Sequence, residues 1–302
     1  MDPSINAVED GVYQITLTPP LAGFTDFISA WLVKGPPTFL VDVGPASTSD
    51  QLIHALAALD VPRLNYILLT HIHLDHAGAA GHIAGRFPAA TIVCHPKAIP
   101  HLVDPSRLWE GTRNVLGSVA LGYGPLKPVP AERLVDAQGF AAGSITALLT
   151  PGHAAHHVSY FTAPALFVGE ACGVLYTLAS GREYMRPATP PAFFMTTALQ
   201  SLDALIARAP DQMVVGHFGM RPDGCALLRR HRDQLLFWEQ WLYAASRIYP
   251  ADETVQRCAE GLLVDDPLLA TFPDFSKPVQ ERERYFLENS VSGFLGWIRD
   301  KK

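Results

Sequence analysis

Cysteine is scarce. The chain has 302 residues and four cysteines, Cys94, Cys172, Cys225 and Cys258, with no CxxC pair among them. That excludes a cysteine zinc knuckle and argues against a disulfide framework; a reducing, cytoplasmic setting is expected. Basic runs are missing as well. No stretch of Lys or Arg exceeds the Arg229-Arg230 pair in length, the net charge is -6 and the pI is near 6.0, so a surface for long nucleic acid is not expected. No window of 18 apolar residues exists to cross a membrane. The opening MDPSINAVEDGVYQ lacks the basic and then apolar order of a secretory signal. By residue identity there is no internal repeat.

What remains is a chain that is 48% hydrophobic and 17% charged, able to bury a sizeable core as one large α/β unit or two domains. GVYQITLT (11 to 18), ISAWLV (28 to 33) and TFLVDVG (38 to 44) read as strands bounded by Pro and Gly. Leu52, Ile53, Leu56 and Leu59 are spaced as one helix face over 49 to 60, with Pro62 after its end. Residues 66 to 70 read as a buried strand, 77 to 86 as a short helix and 91 to 95 as a strand. Residues 104 to 130, rich in Pro and Gly, read as an insertion with a helical piece at about 106 to 121. Loops of that length inside a compact domain are usually functional or disordered. SITALLT (144 to 150), HVSYFTA (157 to 163), ALFVGE (165 to 170) and QMVVG (212 to 216) continue the strands, and a helix follows Pro191 to about Arg208. From Asp223, a good N-cap, two long amphipathic helices are expected. They divide the chain into a catalytic domain, 1 to 222, and a helical extension, 223 to 302. Trp238, Trp241 and Tyr243 on the first of these helices read as core residues.

The chemistry begins at LLTHIHLDHAG (68 to 78). His71, His73, Asp75 and His76 crowd onto the exit of an apolar strand. In an extended segment His71, His73 and Asp75 share a face, and reaching His76 requires a turn there. Imidazole with carboxylate suits zinc, iron or manganese better than calcium or magnesium. Three later strands each end in a further ligand-type residue: His153 in TPGH, Glu170 in VGE and His217 in VGH. Single residues of this kind are usually turn or surface groups. Together they describe a site assembled from loops at one edge of a sheet.

These residues resemble the metallo-β-lactamase superfamily over 11 to about 220, close in pattern to its hydroxyacylglutathione hydrolase and lactonase branches. The resemblance implies an αββα sandwich of two mixed sheets flanked by helices, here with a C-terminal helical appendage. It also implies two divalent metal ions, zinc first, with iron or manganese as alternatives. His71, His73 and His153 would hold one ion and Asp75, His76 and His217 the other, with Glu170 between them. The family usually has Asp at that bridging position, so the longer Glu170 requires its loop to retract or the metals to sit differently. TPGHAAHHVS departs from the family's TPGHTPGHVS by placing Ala154, Ala155 and His156 in the motif. His156 and His157 are expected behind the ligands. Asp42 resembles a family position that accepts a hydrogen bond from a ligand imidazole.

The expected activity is metal-dependent hydrolysis of a small ester, thioester or lactone by a hydroxide shared between two ions about 3.5 to 4 Å apart, with Asp75 as a catalytic group as well as a ligand. A small phosphodiester hydrolase and an iron-dependent redox enzyme are the alternatives on the same site. A non-catalytic binding module is a further one, disfavoured because every ligand position holds a ligand-capable residue. Cys172 reads as a packing residue, not a nucleophile. Arg182, Tyr184 and Arg186 follow Glu170 in a stretch read as a loop facing the metals, where an Arg would clamp an anionic substrate. The insertion and the C-terminal helices are expected to supply a substrate lid or a homodimer surface.

Overall fold

The computed structural model describes residues 4–300. Among these, the first sheet runs in chain order through β1 (Ser4–Glu9), β2 (Val12–Leu17), β3 (Ile28–Val33), β4 (Phe39–Val41), β5 (Tyr66–Leu68), β6 (Thr91–Cys94) and β7 (Leu134–Asp136). β1 to β4 are antiparallel neighbours, and β4 to β7 are parallel. Parallel pairing needs crossovers, and helices supply them. α1 (Ser49–Ala58) leads into β5, α2 (Leu74–Ala77) and α3 (Ala80–Arg86) into β6. α4 (Ile99–Val103), α5 (Ser106–Leu116) and α6 (Ser118–Tyr123) lead into β7.

The second sheet contains β8 (Ala141–Ala142), β9 (Ile145–Leu149), β10 (Val158–Thr162) and β11 (Ala165–Gly169). A separate hairpin follows, β12 (Val174–Thr177) and β13 (Glu183–Arg186), then α7 (Met195–Ala207). β14 (Gln212–Val215) and β15 (Met220–Arg221) then complete the sheet, in the order β15-β14-β11-β10-β9-β8. α8 (Gly224–Ala245), α9 (Thr254–Asp265) and α10 (Lys277–Asp300) close the chain.

Strand alternation sorts the side chains into layers. Trp31, Phe39, Val41, Leu68 and Val93 of the first sheet meet Val158, Tyr160, Phe167 and Val214 of the second in a core between the sheets. The intervening residues Ala30, Leu32, Leu40, Ile67 and Ile92 face the other way, onto Leu52, Leu56 and Ile83 of the outer helices. Likewise Leu166, Val168, Met213 and Val215 join Leu202 of α7, Leu235 and Trp238 of α8, Leu262 of α9 and Phe294 of α10. This is the αββα sandwich. The segment after 222 is its second outer helix layer, since one apolar cluster runs from the sheet through α10 without a break at that position.

Several local features differ from expectation. β1 lies in the acidic N-terminal segment and pairs with β2. Gly117, at φ +53, divides the helix of the insertion into α5 and α6. The segment holding Tyr184 and Arg186 is a paired strand, β13, not a loop. α9 had no separate expectation. Asp223 stands at the N-cap of α8 but makes no capping hydrogen bond; its carboxylate pairs with Arg221. Trp238 is fully buried and donates to Asp266, whereas Tyr243 is 45% exposed beneath Arg247 and is not core. No described helix is long and apolar enough to cross a membrane.

Candidate metal centre

The end of β5 delivers the first ligands, by a different route from the one the alternation suggested. The chain turns at Leu74, not at His76: His73 is the N-cap of α2, and the backbone N–H groups of His76 and Ala77 donate to its carbonyl. His71 and His73 therefore precede the helix, while Asp75 and His76 lie within its single turn. His153 follows β9, Glu170 follows β11, and His217 follows β14. The two strand sets meet at one edge of the sandwich. There His71, His73, His153 and Glu170 form one group of potential ligands and Asp75, His76 and His217 a second, with the donor atoms of each group within 4.8 Å of one another.

Glu170 sits between the groups. Its Oε2 lies 2.9 Å from His153 Nε2, 3.3 Å from His71 Nε2 and 3.5 Å from His76 Nε2, and its Oε1 lies 3.1 Å from His217 Nε2. The longer side chain is accommodated by a tightly held backbone. Gly169 has φ +57, and a Cβ there would stand 2.5 Å from His157 Nε2 and 2.9 Å from Thr70 Cβ. The Glu170 N–H donates to His157 Nε2 at 3.1 Å. His157 must then carry its proton on Nδ1, 2.8 Å from Thr150 Oγ1. His157 is thus the buried post that holds the Glu170 backbone.

Asp42, buried at the end of β4 with φ +55, orients two ligands. It accepts from the Thr70 N–H and the Thr70 hydroxyl at 2.8 Å each, and from His76 Nδ1 at 2.8 Å. Because the Thr70 hydroxyl proton goes to Asp42, its oxygen is left to accept from His71 Nδ1, 3.0 Å away. His153 Nδ1 donates to the Ala188 carbonyl at 2.8 Å. In all three imidazoles the outer nitrogen is held in a hydrogen bond and Nε2 is the atom turned inward, the one a metal ion would take. Nε2 of His71 and of His76 are buried without a hydrogen-bond partner. Burial, then neighbouring imidazoles, holds His71 and His73 well below the usual histidine range, so both are neutral at pH 7. Burial also opposes charge on His76, but Asp42 and Asp75 outweigh it and raise its pKa well above that range. In place of a proton, a divalent ion would satisfy the same carboxylates. Orphaned inward nitrogens and a set of imidazole and carboxylate donors fit such ions.

A cavity of about 400 Å³ opens over both groups. α5 covers it with Arg107, Leu108 and Val115, and α10 contributes Phe286, Asn289 and Ser290. Arg186 and His156 also line it. Arg182 and Tyr184 do not: Arg182 is exposed and paired with Asp274 at 2.7 Å, and Tyr184 is fully buried against Phe275. Alternation along β13 does not separate Tyr184 from Arg186, which share a face; Tyr184 is taken up by the Phe275 ring, and Arg182, just before the strand, turns to Asp274. Cys172 is buried and its thiol is pushed up to about 12 by burial, which leaves no thiolate to act as nucleophile.

Sequence reasoning did not identify three features of the site. The Phe27 ring stacks on His217, with centroids 4.1 Å apart and planes 10° apart. The Tyr123 hydroxyl is buried at the cavity without a hydrogen-bond partner, and burial with the nearby Asp75 keeps its proton on. Thr70 relays Asp42 to His71; a hydroxyl residue directly before the first histidine was the available signal.

The family model described as the metallo-beta-lactamase superfamily matches residues 23–217. A metallo-beta-lactamase fold-containing protein of Sulfurisphaera tokodaii is 27% identical over 211 residues, 67% of this chain and 76% of that protein. A solved archaeal metallo-beta-lactamase superfamily structure from Sulfolobus tokodaii superposes with TM-score 0.71 at 23% identity, covering 94% of this chain and 98% of the other. A hydroxyacylglutathione hydrolase of Acidiphilium cryptum is 32% identical over 62% of this chain and 63% of its own length. An N-acyl homoserine lactonase of Azorhizobium caulinodans is 28% identical over 53% and 60%. The chain thus spans about three-fifths of these two enzymes. Ligand geometry and family match agree: the chain belongs to the metallo-beta-lactamase superfamily.

Proposed function

We propose that the protein hydrolyses a small ester, thioester or lactone in the cytoplasm, using two divalent metal ions, zinc first among the candidates. The observation that carries this reading is Glu170, whose two carboxylate oxygens lie among imidazoles of both ligand groups beneath a cavity of small-molecule size. Hydroxyacylglutathione hydrolase and lactonase among the relatives support the substrate class.

His71, His73 and His153 with Glu170 would hold one ion, and Asp75, His76 and His217 with Glu170 the other. Bound there, the pair would supply Lewis acidity and a water acidic enough to attack at neutral pH. The protein's own groups do the rest. Asp42 and the Ala188 carbonyl fix the imidazole tautomers. Asp75, at the cavity wall, offers a carboxylate to receive the proton of an attacking water. Tyr123 keeps its phenolic proton and can donate to an oxygen that gains charge in the reaction. α5 and Phe286 shield the reacting atoms from water.

The test is metal analysis combined with a substrate panel of esters, thioesters, lactones and small phosphodiesters. About two zinc ions per chain and turnover of a carboxyl ester or thioester are expected. His73→Ala should lose metal and activity together. Turnover restricted to phosphodiesters, or iron with redox activity and no hydrolysis, would sink the reading.

A further inference from the structure

The C-terminal helix brings charge to the cavity in an unbalanced form. Arg186 lines the cavity although its side chain is only 3% exposed. Its Nε donates to Glu283 Oε2 on α10 at 2.6 Å, and its Nη1 to the Pro187 carbonyl at 3.3 Å. Glu283, fully buried, also receives Arg282, whose Nε lies 3.0 Å from Oε1. Two buried guanidinium groups thus share one carboxylate, and the group as a whole carries one uncompensated positive charge.

Where that charge is available follows from the remaining donors. Arg282 is spent: its Nη2 donates to the Tyr176 hydroxyl at 2.8 Å, its Nη1 donates to the Gly23 carbonyl, and its face lies 4.0 Å from the centroid of the Phe27 ring. It takes no part in the cavity wall. On Arg186, by contrast, Nη2 and the second hydrogen of Nη1 have no partner among the described residues. Neighbouring carboxylates are committed elsewhere, Asp42 to Thr70 and His76, Glu170 to four imidazoles. An ion pair serving only to fasten β13 to α10 would need one arginine, not two.

We propose that Arg186, held in place by Glu283, receives a carboxylate that the substrate carries away from its scissile bond. The Nη1–Nη2 edge left free offers parallel donors to the two oxygens of such a group. Glu283 lies outside the residues matched by the family model, so this specificity comes from the C-terminal helix layer. The inference rests on the hydrolase reading only in placing the substrate in this cavity.

The test is calorimetric and needs no turnover. Succinic monohydroxamate, with a metal-binding group at one end and a carboxylate at the other, is compared with its primary amide on the metal-loaded protein. The carboxylate form should bind about tenfold to a hundredfold more tightly. Arg186→Gln should bring the ratio near one with amide affinity unchanged, Arg186→Lys should keep part of it, and Glu283→Gln should lower it although Arg186 remains. A ratio near one in the native protein overturns the proposal even if no variant folds, as does a ratio that Arg186→Gln leaves intact. Tighter binding of the corresponding phosphonate would reassign the position to a phosphate. A preserved ratio with no hydrolysis of any ester, thioester or lactone would overturn the proposed reaction and leave the carboxylate position standing.

Discussion

At the scale of single residues, the site is governed by groups that never touch the cavity. Asp42 serves both His71 and His76, and its left-handed backbone is one that Asn also tolerates. Asp42→Asn should therefore keep the fold but lose one of the acceptor interactions. Metal affinity, measured by competition with a chelator, should fall about tenfold to a hundredfold. His231, which is not among the ligands, allows a separate test. It is buried on α8, and burial, partly offset by a hydrogen bond with Gln234, lowers its pKa to about 4. The folded chain keeps it neutral, whereas the unfolded chain takes up a proton below its ordinary value of 6.5. The associated stability is present above pH 6.5 and is lost as the pH falls toward 4, by about 3 kcal/mol in all. In metal-free protein, His231→Leu should be less destabilised than the native chain between pH 6.5 and 4. Equal slopes in denaturant titrations across that window would refute this.

At the scale of elements, much was legible and some was not. His71, His73, Asp75 and His76 could be read because they are local, and His153, Glu170 and His217 because each follows an apolar strand. The ion pair of Arg186 with Glu283 spans 97 positions, and Glu283 stands in the charged run QERER, where nothing local marks it as buried. Arg182 and Tyr184 were misplaced for a similar reason: Arg182 pairs with Asp274, 92 positions later, and Tyr184 packs on the neighbouring Phe275, contacts that nothing local announces. Within the insertion, α5 buries none of its residues fully and covers the cavity through Arg107, Leu108 and Val115. Gly111 lies at its middle, and a Cβ there would meet no atom within 4 Å. Gly111→Ala should stabilise α5 by about 0.5–1 kcal/mol, seen as slower amide exchange along α5. Unchanged or faster exchange would show that packing rather than propensity limits this helix.

At the scale of the whole molecule, the helices after residue 222 are structural as well as functional. α10 presses against the backbone near the cavity so closely that a Cβ on Gly293 would stand 1.9 Å from the Thr189 carbonyl oxygen. Removing residues 223–302 would strip the cover from Leu166, Val168, Met213 and Val215. At roughly 1.5–3 kcal/mol for each large side chain left bare, the loss reaches the total stability of an ordinary domain. The shortened chain should be insoluble or lack cooperative unfolding in circular dichroism; a soluble product with a sharp transition would show the first 222 residues to be self-sufficient.

Each ligand group draws from both sheets. His71 and His73 come from the first sheet, and His153 and Glu170 from the second; Asp75 and His76 come from the first, and His217 from the second. A folding intermediate with only one sheet formed would own half of each cage and hold neither ion well. On the proposed two-ion reading, metal capture would act as a check on assembly: it would reward only the chain whose sheets have docked in register, and lock that docking by mass action.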